Sequence, residues 1–364
     1  MKDHYSSVPN YRTVLTMLIL ISASYLDVFS QEIADQRIMH DYQSALKDYE
    51  SYEQNHRKDM QVKNVRLSYL EWGNLDNKDK VLIWLHGSLS NAYEFYPYAD
   101  SIVKSGYRVI SIDQYNAGKT PLPNFDASFD DLSIDIKCLM DSLGIEKAVI
   151  GGFSRGAFLA THIYKTMPQY VSALILEDGG SVAFATSYLK LDEESLKRKL
   201  KDVDLPAEVV DKYSGYFSHK FDAYKSLYDA DINTNQFEIL SYLKPQNNQW
   251  ITYRGQFEYN HMQDSLHMAE VIFHKPNVSK YAKSIVEVKP TDIFKDLATP
   301  VLIMDANAEQ DPIPVRIENR ELAMKHPQFI KLVVFEDVAH NIHYTYPSRF
   351  LHEVISFLDH QVKD

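Results

Sequence analysis

The succession of apolar runs in this chain predicts an α/β fold: a mostly parallel sheet with helices on both faces and an inserted helical cap. Three observations carry that reading. Short apolar runs recur along the chain and stop at Gly, His or acidic residues. Amphipathic stretches separate them, which is the pattern of strands buried on both faces and joined by covering helices. Residues 181–289 then interrupt the alternation with helical spacing and dense aromatic side chains.

The elements follow in order. Lys2 and Arg12 precede the apolar run Val14–Ala23, and small residues follow at Ser22, Ala23, Ser24 and Ser30. A basic start, a short apolar core and small residues predict a secretory signal peptide over residues 1–30, cleaved after Ser24 or Ser30. The expected location is therefore secreted or periplasmic, with an uncleaved membrane anchor as the alternative. The run is shorter than the roughly 20 residues a membrane span takes, so no stable span is expected after cleavage. Residues 31–60 place Ile38, Met39, Tyr42, Leu46 and Tyr49 at the spacing of an amphipathic helix leading into the domain.

Strands are expected at Val65–Leu70, closed by Gly73, and at Val81–Leu85, which ends on His86 and Gly87. Arg108–Ile112 ends at Asp113, Ala148–Ile150 at Gly151 and Gly152, and Val171–Leu176 at Glu177, Asp178 and two glycines. Val301–Met304 and Ile330–Phe335 complete the set, so residues 61–180 and 290–364 form one core. Within the insertion, Leu196, Leu200 and Val203 fall at helical spacing, as do Phe217, Phe221, Tyr224 and Tyr228. Pro206, Pro245 and Pro276 cut it into short helices. An insertion between parallel strands covers their carboxyl ends, where such sheets bind ligands.

Composition narrows the function classes. The chain has 364 residues, 45% hydrophobic, enough for a large buried core without a metal or disulfide staple. Its one cysteine, Cys138, excludes an internal disulfide framework and an all-cysteine zinc site. A net charge of −12 makes nucleic acid and anionic membranes poor partners. His261, His267 and His274 lack the spacing of a metal site, and Asn277-Val278-Ser279 is a glycosylation triplet of a kind common by chance. Ala117-Gly118-Lys119-Thr120 ends like a phosphate loop, but the glycine that motif needs at 113 is Asp113. No cofactor or metal is expected.

The sharpest signal is Gly152-Phe153-Ser154-Arg155-Gly156, placed directly after one strand and before a helical stretch. A serine on such a turn sits in strained backbone and projects its hydroxyl above the sheet. The small residues two before and two after let strand and helix approach, and the helix N-terminus favours negative charge beside it. Ser154 is therefore read as a nucleophile.

With these residues the chain resembles the α/β-hydrolase family. His86-Gly87 matches the end of its oxyanion-loop strand, and Asp113 to Pro121 resembles its D-x-x-G-x-G-x-S-x-P turn. Asp292 to Met304 resembles the approach to its acid strand, and Ala339-His340 to Pro347 its G-H-x-x-x-x-E-x-P segment. The likeness runs from about Val62 to Leu358 and is weakest across the insertion. It implies the chain order Ser, Asp, His, with His340 as the base that Ser154 needs and His343 as a packing residue. It implies Asp311 as the acid, two residues further from the strand than usual, with Glu309 and Asp178 as alternatives. Motif position gives the backbone N–H groups of Ser88 and Arg155 as the oxyanion hole.

The chain also departs from that pattern. Asp305 stands where the acid strand usually ends in Gly, and Ala339 replaces the Gly before the histidine. Arg155 is charged where many members are apolar or carry an amide; pairing with a nearby acid is expected, a substrate carboxylate being the other reading. The resemblance implies a serine hydrolase of carboxylic esters acting on a small or medium apolar substrate. Amide or peptide hydrolysis of the iminopeptidase kind and a non-catalytic binding protein are the alternatives.

Overall fold

The computed structural model describes residues 11–184, 186, 188, 191–201, 210–211, 214–228, 235–308 and 314–361, with side chains from residue 34 onward except 254. Strands β1 (Arg57–Gln61), β2 (Arg66–Trp72), β3 (Val81–Leu85), β4 (Arg108–Ile112), β5 (Ala148–Phe153) and β6 (Val171–Glu177) precede the insertion. The insertion holds a small hairpin, β7 (Lys244–Gln246) and β8 (Gln249–Ile251), and β9 (Val301–Asn307) and β10 (Ile330–Glu336) follow it. Among the described residues, eight strands make one sheet in the order β1-β2-β4-β3-β5-β6-β9-β10. β1 and β2 pair antiparallel, as do β2 and β4, and every other pair is parallel.

Each central strand divides its side chains between two cores. In β3, Val81, Ile83 and Leu85 enter one apolar cluster while Leu82 and Trp84 enter the other. That is the period-2 alternation of a strand covered on both faces, and it explains why the run reads as uninterrupted apolar sequence. Helices α1 (Tyr11–His56), α2 (Tyr96–Lys104), α3 (Phe129–Leu143) and α4 (Arg155–Thr166) come before the insertion. α3 packs Phe129, Leu132, Ile136 and Leu139 into the first cluster and ends on Gly144, at φ 67°.

The insertion carries α5 (Glu193–Lys201), α6 (Lys220–Leu227), α7 (Gln236–Tyr242), α8 (Arg254–Tyr259), α9 (Ser265–Ile272) and α10 (Lys280–Glu287). The hairpin β7–β8 departs from the all-helical expectation. α11 (Pro290–Ile293), α12 (Arg316–Lys325), α13 (Ile342–Thr345) and α14 (Pro347–Gln361) complete the chain. The second core cluster takes Phe350, Val354 and Phe357 from α14 together with Phe95, Tyr98 and Ile102 around α2.

α1 is longer than the sequence pattern suggested, while residues 57–60, read as its end, belong to edge strand β1. Ile38, Tyr42, Ala45 and Leu46 of α1 pack on α6 and α7 of the insertion. At the helix end Arg57 bonds Asp113 at 2.6 Å and Glu53 at 3.1 Å, which ties α1 to the carboxyl end of β4. The apolar run 14–23 falls where side chains lie outside the described residues, as do residues 1–10. No helix among the described residues is long and apolar enough to cross a membrane.

Strand order now locates the site. β4 lies to one side of β3 and β5 to the other, so the winding reverses between β3 and β5. A crevice opens at the carboxyl ends of the strands at such a reversal. Ser88 follows β3 and Ser154 follows β5, one on each lip.

Candidate active site

Ser154 joins β5 to α4 with φ 50° and ψ −118°, a backbone state costly for a residue with a Cβ. The neighbouring glycines make that turn possible. A Cβ on Gly152 would stand 2.4 Å from the Gly156 carbonyl carbon, and one on Gly156 would stand 1.9 Å from the Leu85 carbonyl oxygen. Strand and helix therefore meet at a distance only glycine allows. The Ser154 N–H remains in the sheet, donating to the Glu177 carbonyl at 2.9 Å.

His340, on the loop between β10 and α13, brings its Nε2 to 3.0 Å from Ser154 Oγ. Its Nδ1 hydrogen-bonds Asp178 Oδ2. Among the described residues the carboxylate on the imidazole is Asp178, which the sequence reading held as an alternative to Asp311. Asp311 and Glu309 lie outside the described residues. The reason is strand order. β6 is the immediate neighbour of β5, so its end is one strand spacing from the serine, about 4.8 Å, whereas β9 is two away. Asp178 follows β6 directly, at φ 41°, and its N–H donates to the Met304 carbonyl at 2.9 Å. Two glycines follow it, as they surround the serine, and that was the signal in the sequence. Asp305, inside β9, accepts from Asn319 Nδ2 at 2.6 Å.

The acid is buried, its side chain 2% exposed against 25% for His340. Burial pushes the Asp178 carboxyl up from its usual range, while the hydrogen bond and charge of His340 pull it back. Phe153 packs its ring 4.8 Å from the His340 ring and 4.9 Å from that of His343. His343 is fully buried and packs as expected, and it also carries an ion pair: Glu177 Oε1 accepts from both its Nδ1 and its N–H at 2.8 Å. Burial works against the imidazolium, but the charge and hydrogen bond of Glu177 leave the His343 pKa raised. Glu177 immediately precedes Asp178 in the chain, and the pair was not anticipated.

The loop after β3 is held by its own polar groups. His86 donates from Nδ1 to the Gly87 carbonyl at 2.7 Å and accepts the Gln114 N–H on Nε2 at 3.0 Å. Burial pulls its pKa down to about 4, so this imidazole stays neutral and acts as a spacer. Glu94 accepts the Gly87 N–H at 3.0 Å and Trp84 Nε1 at 2.9 Å, and burial pushes its carboxyl up to about 7. Glu238 of α7 reaches in from the insertion, accepting from Ser90 at 3.1 Å and Tyr344 at 2.8 Å. Loop, insertion and histidine segment are thereby one connected body. The Ser88 N–H has no hydrogen-bond partner among the described residues, and Arg155 opens α4, where N–H groups have none within the helix.

Arg155 differs from expectation. No carboxylate forms an ion pair with it among the described residues; its Nε donates to Ser88 Oγ at 2.9 Å and its Nη1 to the Tyr281 carbonyl at 3.4 Å. A cavity of about 290 Å³ opens over Ser154 and His340, roofed by apolar side chains of the insertion such as Phe184, Leu200, Met268 and Ile272. His261 pairs with Glu270 and His267 with Asp264, and the described residues hold no cluster of three metal-ligating side chains.

A model of the α/β-hydrolase fold family matches residues 80–347. The chain belongs to the α/β-hydrolase family. Among curated relatives, a 2-hydroxy-6-oxononadienedioate/2-hydroxy-6-oxononatrienedioate hydrolase of Paraburkholderia phymatum is 35% identical over 106 residues, covering 28% of this chain and 37% of that one. An sn-1-specific diacylglycerol lipase ABHD11 of Danio rerio is 26% identical over 129 residues, 35% of this chain and 39% of the relative. Epoxide hydrolase 1 of Caenorhabditis elegans is 29% identical over 122 residues, 32% and 28% of the two chains. The chain spans less than half the length of these curated relatives. Among solved structures, an E-2-(acetamidomethylene)succinate hydrolase aligns with a TM-score of 0.60 at 18% identity, over 84% of this chain and all of that one. A thioesterase domain from the curacin biosynthetic pathway aligns at 0.54 and 16% identity, over 83% and 98%. At that identity the likeness shows the α/β-hydrolase fold.

Proposed function

We propose that this α/β hydrolase is a serine hydrolase that cleaves carboxylic esters of small or medium apolar substrates through an acyl-enzyme. The observation that carries the reading is the unbroken series from Ser154 Oγ through the His340 ring to Asp178. A serine hydroxyl is almost never ionised near neutral pH, so it needs a base within hydrogen-bond reach, and 3.0 Å is that reach.

In this mechanism the ester enters beneath the cap formed by the insertion. Ser154 Oγ attacks the carbonyl carbon while its proton passes to His340 Nε2. Asp178 keeps the Nδ1 proton in place and stabilises the imidazolium that forms. The carbonyl oxygen becomes an oxyanion, which the N–H groups of Ser88 and Arg155 would receive; one such donor is generally worth about 3–4 kcal/mol. Collapse breaks the ester C–O bond, and His340 returns its proton to the departing alkoxide. Water, deprotonated by the same imidazole, then attacks the acyl-enzyme and releases the acid and Ser154. Position 154 being serine disfavours the aspartyl chemistry of epoxide hydrolases.

The test is turnover of a panel of p-nitrophenyl acyl esters beside aminoacyl-anilides. Ester hydrolysis by the wild type, falling by about 10⁴–10⁶ in Ser154→Ala, supports the reading. Anilide turnover exceeding ester turnover, or an active Ser154→Ala, overturns it.

A further inference from the structure

Arg155 is 4% exposed and Asn260 6%, and both border the cavity that holds Ser154 and His340. A guanidinium so far from water ordinarily faces a carboxylate, because a buried charge without one is among the most costly groups a core can hold. Here its partners are neutral. Nε donates to the Ser88 hydroxyl, Nη1 to the Tyr281 carbonyl, and the Tyr281 ring lies 5.8 Å from the guanidinium carbon. Nη2 makes no hydrogen bond among the described residues. Asn260 closes α8 and makes no side-chain hydrogen bond among the described residues, which leaves its Nδ2 as a donor for an incoming anion. A second, smaller cleft continues between Arg155, Asn260, Gln256 and Tyr281.

The cavity is otherwise roofed by apolar side chains, so these groups form one cationic, hydrogen-bonding corner beside the reacting serine. We infer that this corner binds a carboxylate of the substrate, which makes the preferred substrates half-esters of aliphatic dicarboxylic acids. Arg155 is then a specificity residue, supplying the charge from its side chain while its N–H faces the oxyanion. Its Ser88 bond fixes the guanidinium against the loop, so the charge is preorganised. Burial already pulls the guanidinium pKa down, and an incoming anion reverses that effect. The net charge of −12 repels anions in bulk, so an anionic preference has to arise locally.

The inference rests on the serine-hydrolase reading for its kinetic assay but not for its binding assay. Half-esters of p-nitrophenol with succinic, glutaric and adipic acid are compared with p-nitrophenyl butyrate, valerate and hexanoate at physiological salt. The expected result is a kcat/KM at least about tenfold higher for one half-ester than for its neutral counterpart. That ratio should fall on the order of ten- to a hundredfold in Arg155→Met and partly recover in Arg155→Lys, the range for a charge-assisted hydrogen bond. Asn260→Leu replaces the arginine variant if the latter does not fold. A wild type preferring neutral esters at every length, or a ratio unchanged within twofold, overturns the inference. If no ester turns over and a fluorophosphonate fails to label Ser154, the hydrolase reading falls, and thermal shift decides the corner by itself. Hexanoate raising the wild-type melting temperature more than hexanamide, with the difference lost in the variant, supports it; equal shifts overturn it.

Discussion

Asp178→Asn gives the acid assignment its hardest test, because the structure fixes how the amide must sit. Asp178 Oδ1 accepts the Ala306 N–H at 3.4 Å, while Oδ2 takes the Nδ1 proton of His340. An asparagine that keeps its oxygen on Ala306 turns its NH₂ toward Nδ1. That nitrogen then becomes an acceptor, Nε2 carries the proton, and the ring can no longer take one from Ser154. The charge that stabilises the imidazolium is lost as well. The same exchange in a serine protease lowers kcat by about 10⁴, which at 1.36 kcal/mol per decade is about 5.5 kcal/mol of barrier. Folding should survive, since burial already disfavours the carboxylate and the amide has the same shape. Steady-state turnover of a p-nitrophenyl ester, with circular dichroism melting as the control, reads both. A folded Asp178→Asn within tenfold of wild type would refute the assignment. Asp311→Asn and Glu309→Gln should each cost less than tenfold.

Other consequences follow from the same geometry. Gly156→Ala drives a Cβ to 1.9 Å from Leu85 O and 2.6 Å from His86 O, so it should cost at least about 3 kcal/mol in denaturant unfolding and abolish ester turnover. Glu177→Ala leaves the buried His343 Nδ1 and backbone N–H without their acceptor and should destabilise by at least about 2 kcal/mol, read by the same unfolding curves. Glu94 gives a pH signature of definite sign: its folded pKa of about 7 lies above the unfolded value near 4.5, so its contribution is complete below about pH 4.5 and lost as pH rises through about 7. That loss is about 3 kcal/mol, and the wild-type stability difference between pH 5 and pH 8 should shrink in Glu94→Gln. A difference unchanged by the substitution would contradict the burial argument.

Much of this was legible in the sequence because strands covered on both faces leave a simple mark. β3, β5, β6 and β9 each appear as an apolar run with a breaker at the end, and Ser154 is announced by glycines at 152 and 156. His340 follows from its place after the last strand. The acid was harder. Asp178, Glu309 and Asp311 all follow strands, and sequence distance does not say which strand neighbours β5 in space. Asp178-Gly179-Gly180 carries the same small-residue signature as the serine turn, and weighting it favours the carboxylate that meets His340 Nδ1. The partners of Arg155 were out of reach for another reason. Ser88 and Tyr281 come from two distant segments, and whether a charge meets an acid depends on how the insertion folds back. The same holds for Glu177 and His343, 166 residues apart, whose pairing has no local pattern. The hairpin β7–β8 was hidden because its strands are three residues each, too short to show alternation.

The central claim is that Ser154 forms a covalent acyl intermediate with His340 as its base. Intact-protein and peptide mass spectrometry after brief exposure to a fluorophosphonate tests it most directly. One adduct on the peptide containing Ser154 is expected in the wild type, with labelling slowed by orders of magnitude in His340→Ala. An unmodified Ser154, or equal labelling without His340, would contradict the account.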